Sequence, residues 1–365
     1  MKRLLCVLSC MNAGGAETFL MKLYRKIDRD AYQFDFAVNI REEGVYDKEI
    51  KFLGGKIYHF PPKSESFWGY IKGLKKIVQD NHYEYVLRIT SNGMGFLDLA
   101  IAKFAGAKVC IARSSNSSDG YGIKSCIAHF VGKTIFKRFV DVKIAPSTEA
   151  AIYTFGEKDV NSGKVCLLPN GIDLNYYKYD ENFRKTIRDE FGLSSKTFVV
   201  GHVGRFSEQK NHSFLIDVFA TFLKKHPNSK LLLVGNGELM PMIKQRCESL
   251  GVCDNVIFTG IRSDMPNLYS AMDVFLFPSL FEGMPNVVIE AQACGLPCVI
   301  ADSITKEANV TENVKYLPLN EGLREWENAI GECVGAKRGE AANMLRKNGY
   351  DINDVVKKFE RTCFF

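Results

Sequence analysis

Several features that would indicate a membrane-spanning, secreted or metal-binding protein are missing from this chain of 365 residues. No apolar run approaches the roughly 18 residues of a membrane-spanning helix, so we do not expect the chain to cross a bilayer. The 11 cysteines are odd in number and scattered, and no C-x-x-C pair occurs among them. This pattern argues against a disulfide framework or a cysteine metal site, and favours the reducing cytoplasm.

The amino terminus has only part of the outline of a secretory signal. Lys2 and Arg3 precede an apolar stretch and small residues, but that stretch, Leu4 to Cys10, is at the lower limit for a signal core. The glycines that follow, and the segment TFLMKLYRKI after them, are what a first strand, loop and helix would look like. We therefore interpret this segment as the start of a cytoplasmic fold.

Positive charge is in excess by 6, and all of the excess lies in the first half of the chain. Residues 1–180 hold 26 Lys and Arg against 19 Asp and Glu, whereas the remainder holds 22 against 23. Such an imbalance usually means a solvated basic surface, and the alternative is a face that meets an anionic membrane. The basic segments Lys72 to Ile77 and Lys133 to Arg138 are interleaved with apolar residues at helical spacing, and they carry no base-stacking pattern that would indicate nucleic acid.

Short apolar runs alternate with segments of helical periodicity along the chain, which indicates parallel sheets covered on both faces. The alternation pauses at the polar stretch Leu167 to Thr186 and then restarts. We predict an α/β protein of two doubly wound, Rossmann-like domains, residues 1–175 and 176–350. Residues 351–365 are predicted to form a helix that packs back on the first domain.

Unusual short motifs follow predicted strands in both domains, where loops and helix N-termini of α/β sheets bind ligands. Glycine after a strand is common for steric reasons alone, so any one motif is weak evidence. Together they predict a ligand-binding cleft between the domains. These motifs are Gly14-Gly15, Gly204-Arg205, Gly235 to Gly237, and Ser279 to Gly283.

The segment EGMPNVVIE places Glu282 in a loop, Pro285 near the first turn of a helix, and Glu290 further into that helix. Between the two glutamates lie the free N–H groups of a helix start, which suit a phosphate. A carboxylate on each side of a phosphate can accept hydrogen bonds from the hydroxyls that flank it. Sugar, diphosphate and ribose occur in that order in a nucleotide sugar.

The segment GRFSEQKNH places Arg205 and Lys210 five residues apart in a strand-to-helix loop. Both cations could contact one diphosphate, because the loop is expected at the same sheet edge as the Glu282 loop. Two solvated loop cations are the plainer interpretation.

With these motifs, the chain resembles the retaining glycosyltransferases of family 4, which have the GT-B architecture of two Rossmann-like domains facing across a cleft. The resemblance covers nearly the whole length, through GGAE, LPNGID, GRFSEQKN, LLLVGNGEL, VIFTGIRSDM and the E-x7-E segment. It implies that Glu290 holds the donor ribose, and that Arg205 and Lys210 stabilise the leaving diphosphate. The other donor-binding residues that it implies are Glu282 and the backbone of Gly283, Met284, Pro285, Asn286 and Val287 for the sugar and its phosphate, and Gly14 and Gly15 for a close approach of the first-domain loop.

The chain departs from the family pattern in one loop of the first domain. Similar proteins often carry histidine after the strand KVCIAR, whereas this chain has Arg113 followed by Ser114, Ser115 and Asn116. None of the six histidines is an obvious substitute. We therefore expect Ser115 or Asn116 to orient the acceptor, unless the activity is reduced.

The predicted function is metal-independent transfer of a hexose or N-acetylhexosamine, with retention, from a UDP-sugar to a lipid-linked oligosaccharide. No cofactor is expected, since we see no D-x-D segment placed to bridge a divalent ion to a diphosphate. Bacterial surface polysaccharide assembly at the cytoplasmic face of the inner membrane is the expected setting. The alternatives are a nucleotide-sugar-binding subunit that no longer transfers the sugar, and a sugar-nucleotide epimerase. A dehydrogenase is disfavoured because Gly14-Gly15 does not fit G-x-G-x-x-G.

Overall fold

A computed structural model describes residues 1–12, 14–115 and 123–365, with side chains from residue 126 onward in the last range. The described chain divides into two compact units, Met1–Gly171 with Ile352–Phe365, and Ile172–Asp351. Each unit has its own parallel sheet and its own apolar core.

The strands and helices follow one another in strict alternation over most of the chain. The first unit contains, in chain order, β1 (Lys2–Leu8), α1 (Gly15–Lys26), β2 (Tyr32–Val38), α2 (Asp47–Phe52), β3 (Ile57–His59), α3 (Phe67–Asp80), β4 (Tyr85–Thr90), α4 (Phe96–Phe104), β5 (Val109–Ser114), α5 (Ile123–Ile135), β6 (Val142–Ala145), α6 (Thr148–Phe155), α7 (Glu157–Asn161) and β7 (Val165–Leu167). The second contains α8 (Glu181–Glu190), β8 (Phe198–Val203), α9 (His212–Lys225), β9 (Ser229–Val234), α10 (Met240–Leu250), β10 (Val256–Gly260), α11 (Met265–Ala271), β11 (Val274–Phe277), α12 (Asn286–Ala293), β12 (Cys298–Ala301), β13 (Val314–Leu317), α13 (Leu323–Gly331) and α14 (Ala342–Lys347). The final helix, α15 (Ile352–Cys363), belongs to the first unit.

The first unit is built on a parallel sheet with the strand order β3-β2-β1-β4-β5-β6-β7 in the described part of the chain. Its central strands are continuous apolar runs because helices cover both faces of the sheet; Leu4 to Val7 in β1, for example, have no exposed surface. Helix α15 lies on this unit, where Phe364 stacks on Tyr32 with ring centroids 4.4 Å apart.

The second unit has the described strand order β10-β9-β8-β11-β12-β13, also parallel. A partly buried charge cluster ties α8 to the sheet. Asp273, just before β11, accepts hydrogen bonds from Arg184 and Arg188 and from the Val199 N–H of β8, at 2.7, 2.7 and 2.8 Å. Removing one charge from such a cluster lowers the free energy of unfolding by more than the ion pair itself adds to it. Asp273 therefore holds α8 in one position on the sheet.

The helices are short. Helices α3 and α9 have 14 residues each, which corresponds to about 21 Å. Across the described ranges, no helix has both the length and the apolar character that crossing a membrane requires.

Candidate active site

The second sheet has a topological switch point between β8 and β11. From β8 the chain continues to β9 on one side of the sheet, whereas β11 pairs with β8 on the other side and continues to β12. At such a point the loops after the two strands run in opposite directions and leave room for a ligand beyond their carboxyl ends. The loop after β8 carries Arg205 and Lys210, and the loop after β11 carries Glu282. The sheet order therefore brings together segments that are far apart in the sequence.

Two glycines let the loop after β9 lie against the loop after β8. A Cβ on Gly235 would stand 2.1 Å from the carbonyl oxygen of Gly204, and a Cβ on Gly237 would stand 2.5 Å from that of Phe206. Gly235 also has a φ of +138°, which side chains rarely permit. Phe206 N–H donates to the Asn236 carbonyl at 3.0 Å and closes the contact. These two glycines therefore set the position of the loop that carries the cations.

Hydrogen bonds join the loops after β8 and β11 directly. The Leu280 N–H donates to the carbonyl of Gln209 at 2.8 Å, and the Gln209 side-chain amide donates to the carbonyl of Phe281 at 2.8 Å. A third bond, 3.2 Å long, runs from the Asn211 side chain to the carbonyl of Pro278. The two loops therefore form one hydrogen-bonded structure.

Lys210 and Glu282 form an ion pair across these loops. Both side chains are largely shielded from water, with exposed fractions of 17% and 12%. The Lys210 ammonium also lies 4.8 Å from the centre of the Phe277 ring, a cation–π distance. Glu282 and Phe277 thus hold the ammonium at the carboxyl end of β11, where a negatively charged ligand would meet it in a weakly screened setting.

Arg205 has a partner that the sequence analysis did not name. Its guanidinium pairs with Glu238, at 3.0 Å, and 73% of the side chain is exposed. An exposed pair of this kind contributes only about 0–1 kcal/mol, so Arg205 can exchange Glu238 for a phosphate at little cost. Glu238, which follows the Gly235 to Gly237 turn, escaped the sequence analysis because nothing in its neighbourhood marks it as a partner of Arg205.

Glu290 is buried in α12 and is held by tyrosines. The Tyr269 hydroxyl donates to a Glu290 carboxylate oxygen at 3.2 Å, and the Tyr177 hydroxyl is also hydrogen-bonded to this carboxylate. Burial raises the pKa of both tyrosines and the charge of Glu290 adds to the effect, so both phenols remain donors. The two tyrosines fix the orientation of the carboxylate. Sequence analysis missed them because Tyr177 lies in a polar linker and Tyr269 resembles an ordinary core residue.

Two helices begin at the switch point, α9 at His212 and α12 at Asn286. Pro285 precedes α12, and in neither helix does a described side chain cap the N-terminus. The first N–H groups of a helix lack intrahelical acceptors and carry a partial positive charge, which suits a phosphate. Of the residues between the two glutamates, Met284 is buried and its sulfur lies 3.9 Å from the Tyr350 hydroxyl, which anchors the Gly283 to Val287 turn in the core.

Two buried histidines lie beneath the loop that carries Lys210. The His202 Nδ1 is hydrogen-bonded to the Leu276 carbonyl at 2.9 Å, while its Nε2 and both ring nitrogens of His212 have no hydrogen-bond partner among the described residues. His212 stacks on Phe206 with centroids 4.1 Å apart. Burial and, to a smaller extent, the charge of Lys210 lower the pKa of His212 to about 4. Burial also lowers the pKa of His202 well below its usual value. Both imidazoles are therefore neutral at pH 7.

The first unit has a polar cavity of about 360 Å³ at the carboxyl ends of β1, β4 and β5. Glu17, Lys63, Arg88 and Ser115 are among its lining residues. Behind the two cations lies Asp98, which has no exposed surface and contacts Lys63 at 3.1 Å and Arg88 at 3.0 Å. The shared carboxylate fixes both cations at the cavity wall.

The glycines after β1 lie beside this cavity. Gly14 is the N-cap of α1, and a Cβ there would come within 2.3 Å of a Glu17 carboxylate oxygen. Burial raises the pKa of Glu17, although its own backbone N–H and the charge of Arg88 act in the opposite direction. A Cβ on Gly15 would meet no described atom within 4 Å, so this position faces open space.

The departure at Arg113 has a structural explanation. Arg113 lies within β5 and is buried, with its guanidinium 3.6 Å from the centre of the Phe19 ring and hydrogen-bonded to the Asn170 side chain. Burial lowers its pKa to about 9. Arg113 is therefore part of the core. Ser115 lines the cavity, whereas Asn116 lies outside the described residues.

The described residues contain no group of three or more His, Cys, Asp or Glu side chains that could hold a metal ion. One D-x-D triplet does occur in the sequence, Asp28-Arg29-Asp30. It lies in the turn before β2, at the amino end of that strand. This is the sheet edge opposite to the one at which α/β sheets bind ligands.

The two units, each a parallel sheet covered by helices, match the GT-B fold of solved glycosyltransferase structures. The family pattern described as "Glycosyl transferases group 1" matches residues 183–323. EpsF of Bacillus subtilis (strain 168), which is named a glycosyltransferase, is 34% identical to this chain over 363 residues. The aligned region covers 97% of this chain and 94% of EpsF. The chain therefore belongs to the group 1 glycosyltransferases, and the predicted fold and enzyme class are confirmed.

Two further proteins are similar over most of the chain. The Escherichia coli UDP-Gal:alpha-D-GlcNAc-diphosphoundecaprenol alpha-1,3-galactosyltransferase is 29% identical over 305 residues, with 79% of this chain and 76% of that protein covered. The crystal structure of Anabaena Alr3699/HepE in complex with UDP-glucose has a TM-score of 0.81 at 22% identity and covers 99% of both chains.

Proposed function

We propose that this glycosyltransferase transfers a hexose or N-acetylhexosamine from a UDP-sugar to a lipid-linked oligosaccharide, with retention of the anomeric configuration. The proposal places it in the assembly of a bacterial surface polysaccharide, in the cytoplasm at the inner face of the membrane. The observation that carries it is the shielded Lys210–Glu282 pair beside the N-terminus of α12, with Glu290 buried further along the same helix. Glu282, the helix N-terminus and Glu290 then follow the order of sugar, diphosphate and ribose in a nucleotide sugar.

Each side chain has a separate task in this proposal. Glu290, oriented by its two tyrosines, accepts the ribose hydroxyls, and Glu282 accepts the hydroxyls of the transferred sugar. The Gly283 to Val287 turn and the helix N-terminus bind the phosphate next to the sugar. Lys210 and Arg205 stabilise the leaving diphosphate, while Gly14 and Gly15 keep the donor-binding role that the family resemblance implies.

The reaction is a displacement on one face of the sugar. The bond from the anomeric carbon to the diphosphate oxygen breaks with its electron pair moving to that oxygen, and a bond from the acceptor oxygen to the same carbon forms. The acceptor proton passes to a leaving phosphate oxygen. Negative charge therefore grows on the diphosphate, and Lys210, Arg205 and the helix N-terminus are prearranged to stabilise it, which is usually the largest contribution to catalysis.

The relatives support the substrate classes. The Escherichia coli relative is named for a UDP-sugar donor and a diphosphoundecaprenol-linked acceptor, and the Anabaena structure contains UDP-glucose. Both names agree with a UDP-sugar as the donor. The polar cavity of the first unit, which Ser115 lines, would accept the sugar end of the acceptor.

The proposal is tested in two stages. A thermal-shift panel of UDP-, GDP- and dTDP-sugars should single out one UDP-sugar, since a ligand at 100 times its Kd adds about 2.7 kcal/mol to the free energy of unfolding. That donor, radiolabelled, is then incubated with lipid-linked oligosaccharides, and the linkage of the product is determined by NMR. Inversion at the anomeric carbon, or an epimerised donor in place of a transfer product, would refute the proposal.

Replacing the two glutamates should have separable effects. Glu290→Ala should weaken UDP binding by about tenfold, because it removes a charged acceptor for the ribose hydroxyls. Glu282→Ala should leave UDP affinity within about twofold and chiefly lower kcat. Calorimetric titration with UDP, alongside steady-state kinetics, separates the two, and Glu248→Ala on α10 is the matched control. Equal loss of UDP affinity in the Glu282 and Glu290 variants would contradict the assignment.

Removing divalent metal ions should leave the rate unchanged. In the proposed site, lysine, arginine and a helix N-terminus stabilise the negative charge of the leaving diphosphate, so a bridging metal ion is not needed for that purpose. We expect kcat with excess EDTA to equal kcat with Mg²⁺ or Mn²⁺. A rate that disappears with EDTA and returns with one of these ions would show that the charge is neutralised by a metal.

A further inference from the structure

Helix α5 of the first unit exposes an apolar stripe. Ile127, Phe130, Val131 and Ile135 lie at helical spacing, and their exposed fractions are 59%, 68%, 39% and 47%. Residues separated by three or four positions share one face of a helix, so the four side chains form a continuous strip. Single apolar residues on a surface are ordinary, but a contiguous strip of large ones usually marks a docking surface.

The charged residues of α5 and of the segment just after it are all positive. From Ile123 to Val140 the sequence contains Lys124, Lys133, Lys137 and Arg138 and no acidic residue. Arg138 is exposed just beyond the helix. Lys133 and Lys137 extend to the end of α6, where they donate to the carbonyls of Tyr153 and Phe155 at 2.7 and 2.9 Å. Asp159 forms ion pairs with Lys137, at 3.2 Å, and with Lys143. Two lysines therefore share this one carboxylate, and the net charge of the cluster is positive.

The opposite face of α5 packs closely against the wall of the polar cavity. A Cβ on Gly132 would stand 2.3 Å from the carbonyl carbon of Gly93, so the helix backbone rests directly on the turn at Gly93 to Gly95. The Gly93 N–H donates to the His129 ring at 3.0 Å. The neighbours Asn92, Met94 and Gly95 line the cavity. One helix, about 10 Å thick, therefore separates the exposed stripe from the cavity.

We propose that the outer face of α5 lies flat on an anionic lipid surface and so holds the cavity of the first unit close to an acceptor anchored in that surface. Large apolar side chains on one face with cations at the rim are the features by which a helix binds the boundary between headgroups and acyl chains. A second copy of this chain is a poorer occupant, because apposing two such faces would bring like charges together. The role of the surface rests on the proposed lipid-linked acceptor, but binding to lipid can be measured without it.

The test uses the full chain and vesicles of defined composition. The double variant Ile127→Ser/Phe130→Ser removes the centre of the stripe without touching the cavity. We expect its partition coefficient on vesicles of phosphatidylcholine with 30 mol% phosphatidylglycerol to fall at least tenfold, as measured by co-sedimentation. The control Phe52→Ser, at a residue of α2 that is 88% exposed, should change partitioning less than twofold. Arg138→Glu should also weaken binding, with the larger effect at low salt.

Several outcomes would overturn the proposal. Equal partitioning of the parent chain on vesicles with and without phosphatidylglycerol would do so, as would unchanged binding of the double variant. A dimer that light scattering detects in the parent and not in the double variant would show that the stripe is covered by a second copy. Circular dichroism verifies that the double variant is folded, and Arg138→Glu provides the test if it is not.

Transfer assays separate this proposal from the proposed function. The double variant should keep the parental rate on a short-chain, water-soluble acceptor analogue and lose rate on the same acceptor in vesicles. Loss of rate on both would mean that α5 serves the reaction itself and not docking. No transfer by the parent chain to either acceptor, together with normal vesicle binding, would count against the proposed function and leave the docking surface intact.

Discussion

Replacing Lys210 by alanine should lower kcat by roughly 30- to 1,000-fold, equivalent to about 2–4 kcal/mol of transition-state stabilisation. The ammonium is held by Glu282 and the Phe277 ring in a shielded position, so its interaction with the growing charge of a diphosphate is weakly screened. Because that charge grows as the bond breaks, the loss should appear in kcat more than in KM. Steady-state kinetics at saturating donor measures it, and Lys224→Ala, at an exposed position of α9, is the control.

A second variant distinguishes two reasons for the loss. If Lys210 acts only by neutralising Glu282, then Lys210→Ala/Glu282→Gln should recover the rate that Lys210→Ala loses. If Lys210 acts on the leaving diphosphate, as we propose, the double variant should be no faster than the single one. A Lys210→Ala enzyme of normal rate would mean that the leaving charge is stabilised elsewhere.

Acid should destabilise the folded chain through His212. The pKa of His212 is about 4 in the folded chain, compared with about 6.5 in an unfolded one, so the unfolded state binds the proton more readily. The stabilising contribution is fully present above pH 6.5 and is lost as the pH falls towards 4. The loss in the free energy of unfolding should reach about 3 kcal/mol at pH 4. Urea unfolding at pH 7 and pH 4 measures it.

His212→Phe isolates this effect from the carboxylates that titrate in the same range. Phenylalanine keeps the stacking on Phe206, and it sacrifices no hydrogen bond to the described residues, since both ring nitrogens of His212 lack a partner there. We expect the variant to lose about 3 kcal/mol less than the parent between pH 7 and pH 4. His59→Phe, at an exposed position of β3, should behave like the parent. The same acid loss in the parent and in His212→Phe would exclude His212 as the cause.

The features that sequence analysis recovers are those that depend on local pattern. Strands such as β8 and β11 are apolar runs bounded by glycine or proline, and parallel sheets covered on both faces require such runs. Their carboxyl ends share one sheet edge, so the neighbourhood of Lys210 and Glu282 followed from topology alone. The sequence analysis assigned both residues to one ligand but did not predict the ion pair that they form with each other.

The features that it missed depend on contacts between distant segments. Tyr177 and Tyr269 reach Glu290 only because the linker and α11 pack beside α12, and neither tyrosine carries a local signal. Arg205 pairs with Glu238, 33 residues away, and nothing in the sequence around Glu238 marks it as that partner. In the first unit, Arg88 and Lys63 meet at Asp98, which the sequence presents as an ordinary residue of an apolar helix.

The three hydrogen bonds that join the loops after β8 and β11 bear on how this enzyme can be re-engineered. Gln209 contributes to two of them and Asn211 to the third, while the partners Pro278, Leu280 and Phe281 all use backbone groups. A loop after β8 transplanted from a relative that lacks these side chains would therefore keep the backbone bond from Leu280 to residue 209 and lose the two side-chain donors. Chimeras that aim to change the donor sugar should exchange both loops together, as a single cassette, and carry Gln209 and Asn211 with it.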